Sequence, residues 1–542
     1  MHISRLNDEK GNAVGRKHAS VWCSPVLIVL FAVWAVIPAS ASWPPDTCDC
    51  IKWKTELIDS NPDFSGNQVV YVSRTGQVPG TISSFVMMGR LRNSQYNNTT
   101  YIVKADTQPY IFYCNIYTVE VSNVLVRGET GRREDVVFVG NDPRINPTYW
   151  HTSEYGGTSP CGAAAFFQFY NASHFAIADL TLRNIPGKMF KMDGGSDIII
   201  HNVDLWDCGS QFIKAASSGS VSARDVVLEC SKVHYTTSLF SGNNYTAQGM
   251  SIHKGRNWTI RGNWFENIRD FDNASHAVLM WDNTDTVYVY NNLFVNNNFN
   301  IEFGLDGTGN HMYAWNNVIV YNDRSFSGNV GIGVRTNMTS YVYHNTIYTT
   351  NQSYTVAECP SAVPNQNNLY NNGDGGNGST ANNIKVQNSA WQNPAGWDFR
   401  LTSSNNVPRL NQVLLDIRGK ERPDPTSAGA FEYGEFECDL NDIIEHGADA
   451  TPNDVMDLAI RPNPANALIG IQYTFPVNPG KGDINIYSIG GLLVHHFHRN
   501  DARGTVLWNG DTMPGVPVAS GVYIVKAICG ERALMSHIIF VK

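Results

Sequence analysis

The sequence predicts an all-β chain: a solenoid of stacked coils followed by a small β-sandwich. Three observations predict it. Charged residues are only 16% of the 542, while Gly, Asn, Ser, Thr and Tyr are plentiful, a turn-rich composition. Short runs with a period of two recur along the chain, many with an asparagine pair behind them, as in VYVYNNLFVNN from Val287. After Tyr433 the pattern stops, and a separate set of strand signals begins near Val455.

The first 41 residues read as a signal peptide. Arg5, Lys10, Arg16 and Lys17 precede the apolar run VLIVLFAVWAVI, and Ala39 and Ala41 in ASASW give the small-x-small pattern of a cleavage site. The mature chain is therefore expected to be exported. No other stretch is long and apolar enough to span a bilayer, so no stable membrane span is expected after cleavage. The net charge of −9, without a Lys/Arg-rich block, argues against a nucleic-acid partner.

Export makes the cysteines interpretable. Cys23 lies in the signal, and the nine that remain leave at least one unpaired or paired between chains. Cys208 and Cys230 fall at nearly matching points of adjacent coils, so a disulfide across neighbouring rungs is one option. No Cys/His cluster has zinc-site spacing, and no structural zinc is expected.

The coils are read from recurring phrases: FAIADLTLRNI from Phe175, IIIHNVDLWDC from Ile198, VSARDVVLEC from Val221 and WTIRGNWFENI from Trp258. VYVYNNLFVNN, MYAWNNVIVYN from Met312 and YVYHNTIYTT from Tyr341 follow. The apolar residue after each turn falls at Leu182, Leu205, Leu228, Phe265, Phe294, Ile319 and Ile347, at intervals of 23, 23, 37, 29, 25 and 28 residues. Repeats of this size mean a solenoid, propeller or array. Two short strands around a tight corner, a Gly/Asn/Ser turn and a third strand such as HAVLMW make the unit of a right-handed parallel β-helix. Asn263, Asn292, Asn317 and Asn345 share one corner, where stacked amides can bond to each other; Leu180, Val203 and Val226 are expected to hold that place in earlier coils. On these faces Asn292→Leu should be tolerated better than Leu279→Asp, which would bury a charge.

The domain reading is 42–68 as an N-terminal cap region, 69–433 as the β-helix, 434–454 as an acidic linker and 455–542 as the sandwich. VLVRGETGRREDVVFVG, CGSQFIK, GMSIHKGRNWTIRGNWFENIRD and WDFRL…RPDPTSAGAFEY resemble bacterial right-handed parallel β-helix proteins of the pectate-lyase-like superfamily. That superfamily includes lyases, glycosidases, epimerases and adhesins, so the resemblance implies a fold before a function. Asn463-Pro464, NIYSIGG, Trp508-Asn509-Gly510, ASGVYIVK and Lys542 resemble the Ig-like C-terminal sorting domain of type IX secretion. That resemblance implies a Gram-negative bacterium, the outer-membrane secretion machinery as a partner, and a secreted or surface-attached product.

In lyases of this superfamily the substrate lies along one parallel sheet. Alignment of the third strands gives an outward row of Lys191, Lys214, His253, Asp282, Glu302 and Arg335, with Trp281 and Tyr245 nearby to stack on sugar rings. The inward set is Phe190, Ile213, Met250, Leu279, Phe303 and Ile332. Such a row suits an acidic polysaccharide. Lys214, His253 and Glu302 are the catalytic candidates, with Lys214 as a base and His253 as acid or base. Lys191, Trp281, Arg335 and Tyr245 are candidates for substrate binding. Asp282 and Glu302 are candidates for Ca²⁺, or alternatively for a hydrolase's acid/base pair. The expected activity is β-elimination on an acidic glycan; the alternatives are a glycoside hydrolase on the same fold or a non-catalytic adhesin or glycan-binding solenoid.

Overall fold

The computed structural model describes residues 48–112, 116–140, 165–185, 187–216, 222–236, 248–269, 275–323 and 330–434, and much of 457–540. The predicted signal peptide and nearly all of the acidic linker lie outside the described residues.

From Gln68 to Lys385 the chain winds in successive coils whose strands stack in parallel, an all-β arrangement consistent with a parallel β-helix. One sheet of nine parallel strands runs from Ile116–Val119 to Thr355–Glu358. A 22-stranded sheet carries the rest of each coil. It holds two faces that meet at a corner: the 13-residue strand Ser196–Cys208 pairs with Arg224–Glu229 before the corner and with Lys232–His234 after it. Inward residues such as Ile198, Val226, Trp258, Val287 and Met312 stack in register and form one continuous apolar core.

The corner answers to backbone geometry. One residue per coil takes a left-handed conformation there: Asp179, Asn202, Cys230, Gly262, Asn291, Asn316, His344, Asn367 and Asn382, all with φ between +48° and +63°. Asn and Asp tolerate this conformation better than other side chains, and Gly pays no steric cost. The next residue points inward. Asn263 Nδ2 donates to Asn292 Oδ1, Asn292 to Asn317, Asn317 to Asn345 and Asn345 to Asn368, each at 3.0 Å, and Asn368 donates to Asn383 at 3.1 Å. Each of these oxygens also accepts the backbone N–H of the residue one rung away.

The third coil departs from the sequence reading. Ser231, not Val226, continues the column: Val203 N–H donates to Ser231 Oγ, and Ser231 N–H donates to Asn263 Oδ1. Val226 lies one strand earlier, between Ile198 and Trp258. Likewise Val233, not Leu228, is the register partner of Leu205 and Phe265. The left-handed residue of this coil is Cys230, so the asparagine signal is missing where the chain turns.

One inward assignment is also corrected. Met250, Val278, Ile301 and Ile332 share an inward column, and Leu279 sits on the outward column between Ser251 and Glu302. The strand His276–Trp281 has apolar residues on both faces, so alternation alone could not fix its register.

The segment before the coils lies along their flank. Leu57, Ile58 and Phe64 pack on Leu125, Ala176, Ala178 and Ile199. Asp59 pairs with Arg127 at 2.7 Å, and Cys50 forms a disulfide with Cys230. The expected option of a Cys208–Cys230 bridge is therefore overturned. Cys230 stands at the left-handed corner with its sulfur toward the flank helix Cys48–Lys54, whereas Cys208 is buried as a free thiol 3.5 Å from Tyr235 Oη. The first rung is covered by the strand Thr81–Ser83 and the helix Ser84–Arg90, which places Met87, Met88 and Leu91 in the core.

The residues after the last coil fold back over the outward side of the second face. Trp391, Phe399, Leu401, Ile417 and Phe431 pack on Leu293, Val295, Val318, Val320 and Leu369. Arg422 is fully buried and fixes this tail to the corner row: its guanidinium donates to Asn316 Oδ1 at 2.9 Å, to Gly429 O at 2.8 Å and to Ser427 O at 3.0 Å. Burial lowers its pKa to about 10.

His344 occupies a corner that neighbouring coils give to Asn316 and Asn367. It is fully buried, and burial together with the Arg422 charge holds its pKa well below the ordinary imidazole value. The folded state therefore disfavours the imidazolium, and stability falls as pH drops below about 6.5, where the unfolded chain gains a proton. One proton taken up only by the unfolded chain costs at most about 1.4 kcal/mol per pH unit. His344→Asn should reduce the acid sensitivity of the unfolding free energy, seen as a smaller loss between pH 7.5 and 5 in denaturant titration.

Residues 457–540 form a second, antiparallel β-module. Asp457–Arg461, Ile469–Thr474 and Arg503–Trp508 make one sheet; Leu493–Arg499, Gly482–Ser488, Gly521–Cys529 and Arg532–Phe540 make the other. Ile471, Trp508, Ile486, Val525 and Ile538 belong to its single core. Gly510 of the Trp-Asn-Gly motif has φ +73°, and a Cβ there would strike the Phe540 ring.

Candidate functional site

The nine-stranded sheet positions most of the predicted residues. On Gln211–Ala215 and Gln248–His253, Ile213 and Met250 pair and face in, which turns Lys214, Ser251 and His253 outward. The predicted single row divides into two. Gln168, Lys191, Lys214, Ser251, Leu279, Glu302, Gly333 and Glu358 form one outward column. His253 and Trp281 lie in the neighbouring column, two residues further along their strands. Asp282 follows the end of its strand, with φ +49°.

The centre is a chain of three polar groups. Lys214 Nζ stands 2.6 Å from His253 Nε2 and donates to Ser251 Oγ at 3.0 Å. On the other side of the imidazole, Nδ1 lies 3.4 Å from Asp282 Oδ2. Asp282 is held in turn: its backbone N–H donates to Asp306 Oδ2 at 3.1 Å. The Trp281 ring packs 4.4 Å from the imidazole, and Lys214 Nζ stands 6.0 Å from its centroid. Burial, then the Lys214 charge, lower the His253 pKa, so a neutral imidazole is favoured. An ammonium donating to Nε2 and a carboxylate accepting from Nδ1–H select one tautomer.

The flanking groups are tied up. Lys191 pairs with Asp193 at 3.1 Å, and Asp193 also accepts from Gln168 at 2.9 Å. Glu302 is fully buried, and both its oxygens are engaged by Arg335, which also reaches Glu358 at 2.6 Å. Burial raises the Glu302 pKa, and Arg335 opposes the rise. Any Cβ at Gly333 would overlap the Glu302 carboxylate, so glycine makes room for this pair. Glu302 thus serves to hold Arg335.

The donors do not suit Ca²⁺. Asp282 faces His253, Glu302 is neutralised by Arg335, and among the described residues no group of three or more His, Cys, Asp or Glu side chains converges on a metal position. The same engagement of Glu302 weakens the hydrolase acid/base assignment. Tyr245 lies outside the described residues, as do 217–221, 237–247, 270–274 and 324–329. Sequence reasoning missed Asp306 and Glu358, which act from loop and edge positions without a repeat signal.

The fold and site together define a class: an all-β stack of parallel coils with an Asp–His–Lys chain and an indole on one outward face. No protein-family model matches the chain, and no curated protein and no solved structure matches it.

Proposed function

We propose that the protein is exported and cleaves an extracellular acidic polysaccharide by β-elimination. The observation that carries this reading is the Lys214–His253 contact at 2.6 Å on an outward sheet face beside Trp281. The substrate chain lies across the strands. A uronate carboxylate competes for the Lys214 ammonium and draws it from the imidazole. That frees the Nε2 lone pair of a neutral His253, which takes the C5 proton while Asp282 stabilises the resulting imidazolium. The C5–H electron pair becomes a C4=C5 double bond as the glycosidic C4–O bond breaks, and that bond's pair leaves with the oxygen, which takes a proton from solvent. Trp281 supports the sugar ring by apolar contact.

The coil is read as the right-handed parallel β-helix of pectate-lyase-like proteins, and the C-terminal module as an Ig-like type IX sorting domain that addresses the cargo to the outer-membrane machinery. Support comes from the phrases quoted above, the parallel stacking and the two-sheet module.

The test is incubation with a panel of polyuronates, following ultraviolet absorbance of unsaturated ends. Lys214→Arg, which keeps the charge, is expected to retain activity within about tenfold, and Lys214→Ala to lose about a hundredfold. Equal loss in both variants would make Lys214 the base instead. Silence across the panel would indicate a non-catalytic glycan-binding solenoid; reducing sugar without absorbance would indicate a hydrolase.

A further inference from the structure

The turn that carries Asp282 has a backbone feature found nowhere else among the described residues. Asp282 and Asn283 take left-handed conformations in succession, with φ +49° and +61°, and no other two consecutive non-glycine residues do so. Asp and Asn visit this region as single residues, and a run of two persists only where neighbours over-determine it. The pair directly follows Trp281, at the end of the strand that lies beside the strand of His253.

Every backbone polar group of the pair has a partner. Asp282 O accepts Lys254 N–H at 3.0 Å, and Asn283 O accepts from the Arg256 guanidinium at 2.9 Å. The two N–H groups go to one loop of the next coil, residues 304–309. Asp306 Oδ2 accepts Asp282 N–H at 3.1 Å, and Thr308 Oγ1 accepts Asn283 N–H at 2.8 Å. The two acceptors are tied together, since the Thr308 hydroxyl donates to Asp306 Oδ1 at 2.7 Å. The loop stands close because residue 309 is glycine: a Cβ there would lie 2.7 Å from Thr284 O. Asp306 is exposed, so burial does not account for its place.

The consequence falls on the imidazole, because Asp282 Oδ2 stands 3.4 Å from His253 Nδ1. We infer that Asp306 and Thr308 are positioning residues: together they clamp the 282–283 turn, and so hold the Asp282 carboxylate against His253. They act through Asp282. The catalytic consequence rests on the β-elimination reading, while the clamp rests on the contacts alone.

Full-chain variants test it. Asp306→Ala removes the acceptor of Asp282 N–H, and Asp306→Asn keeps an oxygen there. Thr308→Val removes the acceptor of Asn283 N–H with little change of shape. Asp306→Ala and Thr308→Val are expected to lower kcat about tenfold or more with KM nearly unchanged, and Asp306→Asn to stay within about threefold of the parent. A second readout needs no substrate. Burial, then Lys214, lower the His253 pKa, and Asp282 opposes them. Followed by NMR, the imidazole pKa should therefore fall further in Asp306→Ala and Thr308→Val, as the carboxylate recedes, and fall less in Asp306→Asn. Unfolding midpoints show which variants are folded, and Thr308→Val decides if Asp306→Ala is not. Folded variants that keep the parent's kcat or its imidazole pKa overturn the inference. Equal losses in Asp306→Asn and Asp306→Ala also overturn it, because they trace the effect to charge. If no polyuronate is cleaved, the lyase reading fails, and the imidazole pKa alone decides the clamp.

Discussion

His253→Gln is expected to lower kcat for polyuronate cleavage by about 10²–10⁴-fold, the usual contribution of a positioned general base. Glutamine isolates the chemistry from the architecture. Its Oε1 can accept from Lys214 and its amide can donate to Asp282, so both contacts of the imidazole are retained. What it lacks is a basic lone pair. KM should therefore change much less than kcat. The pH profile of the parent protein adds a second check. The base works unprotonated, so the rate rises with pH through the His253 pKa, which burial and Lys214 place below the ordinary imidazole value. The rising limb should lie below about pH 6.5, with a plateau at neutral pH. A limb well above 7 would point to Lys214 as the base.

Asn292→Leu is expected to destabilise the coil stack by several kcal/mol. Asn292 Nδ2 donates to Ile260 O, Tyr290 O and Asn317 Oδ1, and its Oδ1 accepts both Asn263 N–H and Asn263 Nδ2. Leucine would leave these partners buried and unpaired, at about 1–3 kcal/mol for each group that water cannot reach. The expectation that Asn292→Leu is milder than Leu279→Asp rests on aliphatic packing of the kind earlier coils use, which this corner does not offer. Those coils place Leu180 and Val203 against each other, and the transition to amides passes through Ser231. The buried-charge comparison also moves, from Leu279 to Val278, whose side chain faces the core. Denaturant unfolding of Asn292→Leu, Val278→Asp and the parent should show both variants strongly shifted.

The coil period was legible because the corner needs a left-handed residue followed by an inward one, and asparagine serves both needs. Asn291-Asn292, Asn316-Asn317 and Asn367-Asn368 carry that signal twice over. It failed at Cys230-Ser231, where neither residue announces the turn, and the third coil was placed one strand early. The outward face was legible where polar and apolar residues alternate, as in Met250-Ser251-Ile252-His253. It was obscured at His276–Trp281, where Leu279 is apolar yet outward. Partners from different coils, such as Asp306 under Asp282 or Glu358 on Arg335, depend on stacking that adjacency in sequence does not encode. The flank helix was hidden for the same reason: Cys50 and Cys230 are 180 residues apart.

The most direct measurement is a crystal structure of the His253→Gln variant soaked with an oligouronate. The account predicts a sugar ring against Trp281 with its carboxylate on Lys214 Nζ and its C5 toward residue 253. An oligouronate bound on another face, or none bound at concentrations that saturate the parent enzyme, would contradict it.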